Sequence, residues 1–233
     1  MGLFALLALL SRKTPVLRWF LLTLVPVFAF TLVATFSRSG WIAFLAALFV
    51  SGSLMLWKQR LAAQSALPLL SLVMLTLALS VGLLSDPVFA RFSPALRLEA
   101  RSLTERESEY QVFPQVFMAA PVLGTGIGGY TLALAARNPD ADAWSYQPIH
   151  NALLLALAEV GLLGALAVVA WAAAVDRVNY AAIARGSARA ITAIGFGTIL
   201  LIVALFDHYL WSSWSGLALM AFAMALTVRL SQD

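Results

Sequence analysis

The chain contains no cysteine. This absence excludes disulfide bonds, thiolate metal sites and cysteine nucleophiles from any account of its function. It leaves the compartment open, because a membrane protein can lack cysteine on either face of the bilayer. Histidine is also scarce, with 2 residues among 233, so chemistry that needs an imidazole has only His150 and His208 to use.

Charge is the second scarcity: Asp, Glu, Lys and Arg make up 11% of the chain, whereas hydrophobic residues make up 62%. A soluble domain carries about a quarter charged residues, and it could not bury this much apolar surface, whereas a bilayer can cover it. The formal net charge is +4. Because the basic residues lie between hydrophobic runs, they are expected to set membrane topology, and we predict no nucleic-acid partner.

Six hydrophobic runs predict membrane-spanning helices. Five are long enough, at roughly 17 to 25 residues, and one is marginal; backbone polar groups in lipid must bond within the segment, which favours helices. The runs are approximately 16–36, 41–57, 66–84, 150–175, 190–207 and 210–228. We therefore predict an all-α polytopic membrane protein in three parts. These are an N-terminal stub with three transmembrane helices (1–84), a large polar loop (85–149) and three further transmembrane helices (150–233).

Basic residues predict the orientation of these helices. If all six runs cross, most of the lysines and arginines fall on one side, and the positive-inside rule makes that side cytoplasmic. They are Arg12, Lys13, Arg18, Lys58, Arg60, Arg177, Arg185, Arg189 and Arg229. The exported side then receives Arg38, the polar loop and the turn at 207–209.

The polar loop is predicted to contain an amphipathic helix on the outer membrane face. Thr104 and Glu107 fit a capping box with Thr104 as the N-cap, and apolar residues recur at helical spacing over 112–117. Pro114 should kink this helix or limit its first turns. The glycine-rich run 124–129 predicts a tight turn with close backbone approach. As a phosphate loop it is a weak match, because it follows a helix and lacks the P-loop lysine.

Four polar residues on the predicted outer side are candidates for chemistry. The two histidines lie at outer ends of predicted spans, where an ordinary interfacial histidine is the alternative reading. Arg38 lies in the turn between the first two spans, where it either snorkels to headgroups or binds a ligand. Arg106 lies near the start of the predicted loop helix, and its alternative role is pairing with Glu109 or Tyr110.

Two acidic features are also open to more than one interpretation. Glu105, Glu107 and Glu109 alternate and could bind a metal, although a solvated charged face is the commoner outcome. Glu159 falls within the fourth predicted span, where a carboxylate is costly and should face protein or water. The small residues Gly161 and Gly164 nearby would let another helix approach closely.

The order of four short motifs around the loop resembles the O-antigen ligase/polymerase superfamily of WaaL-like and Wzy-like proteins, which includes some protein O-oligosaccharyltransferases. The motifs are Ser37-Arg38-Ser39-Gly40-Trp41; Arg106-x3-Tyr110 followed by Pro121-x2-Gly124-x-Gly126; His150-Asn151 through Glu159-x-Gly161-x2-Gly164; and Phe206-Asp207-His208-Tyr209-x-Trp211. The third motif is the most specific. The resemblance covers most of the chain and corresponds to a C-terminal portion of the usually longer family members. Tyr110 and Pro114 depart from the family's usual pattern.

The resemblance implies a metal-independent inverting glycosyltransferase without a cofactor. The implied donor is an undecaprenyl-diphosphate-linked glycan, and the implied acceptor is lipid A-core, a second carrier-linked glycan or a protein. The implied location is the bacterial cytoplasmic membrane, among membrane lipids, with a periplasmic active face.

The resemblance also implies roles for particular residues. Arg38 and Arg106 match arginines that bind the diphosphate, and guanidinium groups neutralise such anions bidentately at any relevant pH. His150 matches the residue that activates the acceptor hydroxyl, and a base needs a pKa near the working pH, which histidine has. Asp207 and His208 are expected to bind substrate.

Other functions stay open from the sequence. An O-antigen polymerase and a protein O-oligosaccharyltransferase share the same motifs. A transporter for a polyprenyl-linked glycan would also need arginines for the diphosphate, but it predicts charged residues in a central pore, and only Glu159 lies deep in a span. An inactive truncated remnant of a longer enzyme is the remaining alternative.

Overall fold

A computed structural model describes residues 15–58, 63–93 and 97–232. Within these ranges the regular structure is helical and contains no strand, which confirms the all-α prediction. The predicted N-terminal stub lies largely outside the described residues.

Ten α-helices, named in chain order, account for the regular structure of the described ranges together with a 3₁₀ turn at Ala143–Ser145. They are α1 Pro15–Ala34, α2 Arg38–Trp57, α3 Ala63–Leu83, α4 Ser85–Ala90, α5 Arg97–Ala119, α6 Gly129–Arg137, α7 Ala152–Ala184, α8 Ala188–Phe206, α9 Tyr209–Ser212 and α10 Trp214–Gln232.

Three of these helices are long and apolar enough to cross a membrane: α2, α7 and the Arg189–Phe206 part of α8. Three more stretches are apolar but shorter within the described residues, namely Trp19–Ala34, Pro68–Leu83 and Trp214–Arg229. The six predicted runs thus coincide with six helices, of which three meet the length expected of a span. The chain is a membrane protein, and crossing by the other three stays a prediction.

Short polar residues mark where the apolar helices begin. The Ser37 side chain accepts a hydrogen bond from the Gly40 amide at the start of α2, and Ser187 accepts one from the Ala190 amide at the start of α8. Such N-caps satisfy amides that have no partner inside the helix and contribute about 1 kcal/mol each. The caps explain why the breaks between apolar runs are sharp.

Helix α2 packs along α8, and the two run antiparallel. The Ser51 hydroxyl donates to the Ile191 carbonyl at 3.4 Å near one end of the pair. Ala43 and Ala47 of α2 are fully buried, and small side chains let two helices approach closely. Helices α1 and α3 complete this core through Val25, Ala29 and Val73.

The loop helix α5 begins earlier than the capping pattern predicts. It starts at Arg97, and the Thr104 hydroxyl donates to the Ala100 carbonyl at 3.1 Å, so Thr104 lies inside the helix and the predicted N-cap is wrong. Threonine inside a helix commonly bonds to the carbonyl four residues earlier. A pair between Arg101 and Glu105 at 2.7 Å, four residues apart, further favours helix through this segment.

Pro114 lies inside α5 rather than in its first turns, and the helix continues to Ala119. The apolar face of the helix packs on protein: Val116 is fully buried with Tyr130 of α6 and Leu155 of α7. The segment is therefore an amphipathic helix whose apolar face packs on α6 and α7. This packing holds the polar face of α5 over the beginning of α7.

Candidate functional site

Asn151 is the N-cap of α7 and determines where His150 is presented. Its side-chain carbonyl accepts hydrogen bonds from the amides of Leu153 and Leu154, each at 3.0 Å. Its side-chain amide donates to the Tyr110 hydroxyl of α5 at 3.3 Å. His150 thus stands immediately before a capped helix that is also tied to the loop helix.

Glu109 of α5 holds His150 at two points. The carboxylate accepts a hydrogen bond from the His150 backbone amide at 2.9 Å, and both of its oxygens lie 2.9 Å from Nδ1. A carboxylate only accepts, so Nδ1 carries the proton, and Nε2 of the neutral ring keeps its lone pair. The side chains of His150 and Glu109 are 26% and 13% exposed, so the pair is shielded but reachable.

The surroundings of His150 act on its pKa in opposite directions. The hydrogen bond that His150 donates to Glu109 is the largest influence and raises the pKa of His150 above its ordinary value. Burial and the positive charge of Arg106 oppose it. The net shift is upward. Burial, together with the charge of Glu109, also raises the pKa of Tyr130 to about 12, so that phenol stays neutral beside the pair.

Arg106 lies one helical turn before Glu109, on the same face of α5. In the part of the chain that the structure describes, two buried side-chain polar atoms make no hydrogen bond, Arg106 Nε and Asn179 Oδ1. Buried donors are nearly always satisfied. The described residues show no hydrogen bond or ion pair between Arg106 and Glu109, and the Glu109 carboxylate bonds His150.

His208 and Asp207 meet His150 from the end of α8. The two imidazole rings lie edge to face with their centroids 5.1 Å apart. The Asp207 carbonyl accepts the hydrogen bond of the Ala152 amide at 3.0 Å, which fixes the end of α8 against the start of α7. His208 Nδ1 lies 2.7 Å from the Ser212 hydroxyl. Burial, and then the neighbouring His150, lower the pKa of His208.

Arg38 belongs to a second network at the same end of the helix bundle. Its Nη1 donates to the Arg91 carbonyl at 3.1 Å, and Arg91 Nε donates to the Phe36 carbonyl at 3.0 Å. Because α2 and α8 run antiparallel, Arg38 at the start of α2 lies toward the Phe206 end of α8. The structure therefore groups four of the five predicted site residues directly, and it places Arg38 in the network with Arg91.

Helix α7 is interrupted at Gly161, whose backbone has φ 65° and ψ −172°. The turn that follows α5 fills the break. The amides of Leu162 and Leu163 donate to the carbonyls of residues 121 and 122 at 2.9 and 3.2 Å. In return the amides of residues 125 and 126 donate to the carbonyls of residues 158 and 159, each at 2.9 Å. The turn thus satisfies backbone groups that the break leaves without helical partners.

Glycine is required on both sides of this junction. A Cβ on Gly124 would overlap the backbone of Glu159, and a Cβ on Gly161 would overlap the carbonyl of Val122. The close backbone approach predicted for the glycine-rich run is confirmed. The expectation for Gly161 needs correction, because the partner that approaches it is this turn and not another helix.

Glu159 is buried, 5% exposed, and links three segments. Its Oε2 accepts a hydrogen bond from Trp211 Nε1 at 2.8 Å, and its Oε1 accepts one from the Tyr130 amide at 3.4 Å. It faces protein, as the cost of burying a carboxylate predicts. Through Trp211 it holds the short helix α9, which begins directly after His208.

Sequence reasoning missed the role of Glu109 in this arrangement. A usable signal was its spacing of three residues from Arg106, which places both on one helix face. The alternative of a metal bound by the alternating glutamates is not supported, since Glu105 pairs with Arg101 and Glu109 with His150. Among the described residues, no group of three or more His, Asp or Glu side chains is placed to hold a metal ion.

Comparison with protein families gives one match: a family model described as O-antigen ligase covers residues 21–169. Comparisons with curated proteins and with solved structures gave no match. The matched segment is more than half of the chain and includes Arg38, Arg106, Glu109 and His150. The family implies a glycosyltransferase-like enzyme that acts on a lipid-linked glycan and an acceptor. The chain belongs to the O-antigen ligase family.

Proposed function

We propose that this protein transfers a glycan from an undecaprenyl-diphosphate carrier to an acceptor hydroxyl at the periplasmic face of the bacterial cytoplasmic membrane. The observation that carries the proposal is the Glu109–His150 pair beside Arg106, whose Nε atom is buried without a hydrogen-bond partner. A base, a group that stabilises its charged form, and a cation thus converge on the end of one helix bundle.

His150 is proposed to act as the general base. With Nδ1 bonded to Glu109, Nε2 can take the proton of the acceptor hydroxyl as its oxygen attacks the anomeric carbon. The bond from that carbon to the diphosphate oxygen breaks in the same displacement, so the configuration inverts. Glu109 stabilises the imidazolium that forms and keeps the ring oriented, as the carboxylate does in Ser-His-Asp hydrolases.

Arg106 is proposed to bind the diphosphate. A diphosphate is already a good leaving group, so its main requirement is neutralisation of charge, which a guanidinium supplies without a metal ion. The buried Nε without a protein partner supports this role, because an anionic oxygen would satisfy it. Arg38 would add positive charge from the same end of the bundle.

The Asp207-His208 turn is proposed to orient the acceptor. The lowered pKa of His208 keeps the imidazole neutral near physiological pH, so the ring can exchange hydrogen bonds with a sugar hydroxyl. The O-antigen ligase family favours a hydroxyl of lipid A-core as the acceptor, which would make the protein a ligase. A second glycan chain or a protein are the other acceptors to be compared.

Glycan transfer by membranes containing single variants tests this assignment. We expect His150→Ala and Arg106→Ala to lower transfer by about 10²- to 10⁴-fold, the usual contribution of acid–base groups and of charge stabilisation. Arg106→Lys should restore only part of the rate, because it keeps the charge without the planar fork. Arg229→Ala, an exposed arginine on α10, is the matched control and should transfer normally.

Complementation of three strains, lacking ligase, polymerase or protein transferase activity, identifies the acceptor class. Rescue of the ligase-deficient strain alone is the expected result. Normal transfer by His150→Ala, in protein shown to insert at the wild-type level, would overturn its role as the base.

A further inference from the structure

An open groove lies on the loop, outside the reacting centre just described. It has a volume of about 540 Å³, is largely open to solvent, and is lined by Arg101, Thr104 and Glu105 of α5 and by Trp144 of the 3₁₀ turn. The proposed reaction uses none of these side chains. Ligand sites commonly have volumes of about 300–1,000 Å³, so the groove has room for a small group.

Trp144 presents a large apolar surface to solvent at this groove, being 62% exposed. The turn that carries it is fixed by internal bonds: the Tyr146 hydroxyl lies 2.6 and 2.8 Å from the carbonyls of Asn138 and Ala141, which share its single proton. The Trp144 carbonyl itself accepts from Gln147 Nε2 at 3.0 Å. The indole is therefore held in place on an ordered turn while its ring stays accessible.

Polar groups surround the indole. The guanidinium of Arg101 lies over the Trp144 ring, 5.6 Å from its centre, and its Nε donates to Glu105 Oε1 at 2.7 Å. That pair stays 60% and 40% exposed, so further donors and acceptors of both side chains face solvent. The part of the indole that stays exposed is a flat apolar surface edged by paired donors and acceptors. Such a surface matches a pyranose ring, whose C–H face packs on an aromatic π-cloud while its hydroxyls exchange hydrogen bonds with the rim.

The groove also lies at a suitable distance from the reacting centre. Arg101 and Glu105 precede Glu109 on the same helix, which places them about 6–12 Å from it along the axis at 1.5 Å per residue. A glycan bound at His150 could therefore extend along α5 to Trp144.

We propose that Arg101, Glu105 and Trp144 form a carbohydrate subsite that binds a pyranose residue of a glycan some way from the reacting sugar. The subsite rests on the proposed function, because only a protein that handles a glycan would bring a pyranose to this groove. The bound pyranose residue could belong to the donor glycan or to the acceptor, and both would present the same chemistry to the indole.

Binding measured without catalysis tests the subsite. The full chain in nanodiscs, carrying His150→Ala to prevent transfer, is titrated calorimetrically with two probes. One is the oligosaccharide released by mild acid from the host's undecaprenyl-linked glycan, and the other is the delipidated core oligosaccharide of the host. We expect Trp144→Ala to weaken binding of one probe by about three- to tenfold, the range of a favourable aromatic contact, and Trp144→Phe to retain most of it.

The control is Trp171→Ala, which removes a partly exposed tryptophan from the candidate span of α7 and should leave both affinities unchanged. The probe that Trp144→Ala weakens identifies the source of the sugar. Unchanged affinity for both probes, or an equal loss in Trp144→Phe, would overturn the subsite. A Trp144-dependent affinity together with normal transfer by His150→Ala would retain the subsite and reject the proposed base.

Discussion

His150 and His208 lie with the centroids of their rings 5.1 Å apart, yet their surroundings shift their pKa values in opposite directions. Glu109 bonds the ring of His150 and favours its charged form, whereas burial and the nearby His150 favour the neutral form of His208. Two residues of one type can therefore take two roles, one receiving a proton during the reaction and one staying neutral. The upward shift of the His150 pKa comes mainly from one carboxylate on α5, and the downward shift of the His208 pKa comes mainly from burial.

We predict that the two imidazoles titrate separately in the purified protein, with the pKa of His150 above 6.5 and that of His208 below it. Nuclear magnetic resonance of protein labelled at histidine measures this directly, since the chain has 2 histidines. Assignment comes from His208→Ala, which removes one signal. A reversed order of the two pKa values would contradict the geometry.

The sequence indicated Arg106, His150, Asp207 and His208 through their motifs, and the structure groups these four. The sequence did not single out Glu109, because three alternating glutamates look equivalent along the chain. Only the packing of α5 on α7 turns one of them toward His150. Arg38 shares a motif with them, but its hydrogen bonds to the Arg91 backbone depend on a contact between distant segments that no local pattern encodes.

At the scale of the element, the break in α7 positions the site. The glycine-rich turn docks into the break and, together with Glu159, ties α6, α7 and α9 into one unit. The sequence predicted where the helices lie and that glycines allow close approach. It did not predict a break at Gly161, because a glycine within an apolar run is equally typical of contact between two straight helices.

We predict that Gly161→Ala destabilises the protein by at least about 2 kcal/mol. The Gly161 backbone, with φ of 65° and ψ of −172°, lies in a region essentially restricted to glycine, which costs another residue about 1–3 kcal/mol, and the added Cβ also meets the Val122 carbonyl. Gly197→Ala is the matched control: its Cβ would meet nothing within 4 Å, and alanine favours a helix by up to about 1 kcal/mol. Thermal unfolding in detergent compares them. Equal stability of the two variants would show that the junction is not needed.

For the whole molecule, the principal prediction is that the loop carrying α5 and α6 lies outside the cytoplasm. Hydropathy located all six helices, but length and composition support three as spans, and the side reached by each connection follows from the distribution of basic residues alone. The structure brings the candidate site to the end of the bundle that faces this loop. Its orientation in the membrane can be measured directly.

The absence of native cysteine makes that measurement simple, because a single introduced thiol is the only one in the chain. We predict that Asp140→Cys reacts with a membrane-impermeant maleimide in cells whose outer membrane alone is permeable. Arg185→Cys, between α7 and α8, should react only after the cytoplasmic membrane is opened. Labelling of Arg185→Cys in intact spheroplasts together with protection of Asp140→Cys would show that the orientation is the reverse of the predicted one.

The dependence of glycan transfer on pH in Glu109→Gln tests the central claim, that Glu109 supports His150 as the base. Transfer requires neutral His150, and Glu109 raises its pKa, so removing the negative charge should move the acidic limb of the rate profile to lower pH. The plateau rate should also fall, by up to about 10²- to 10⁴-fold, because the imidazolium loses its partner in the transition state. Glu107→Gln, an exposed neighbour on the same helix, should leave limb and plateau unchanged. A Glu109→Gln profile that coincides with the wild-type profile would contradict the account.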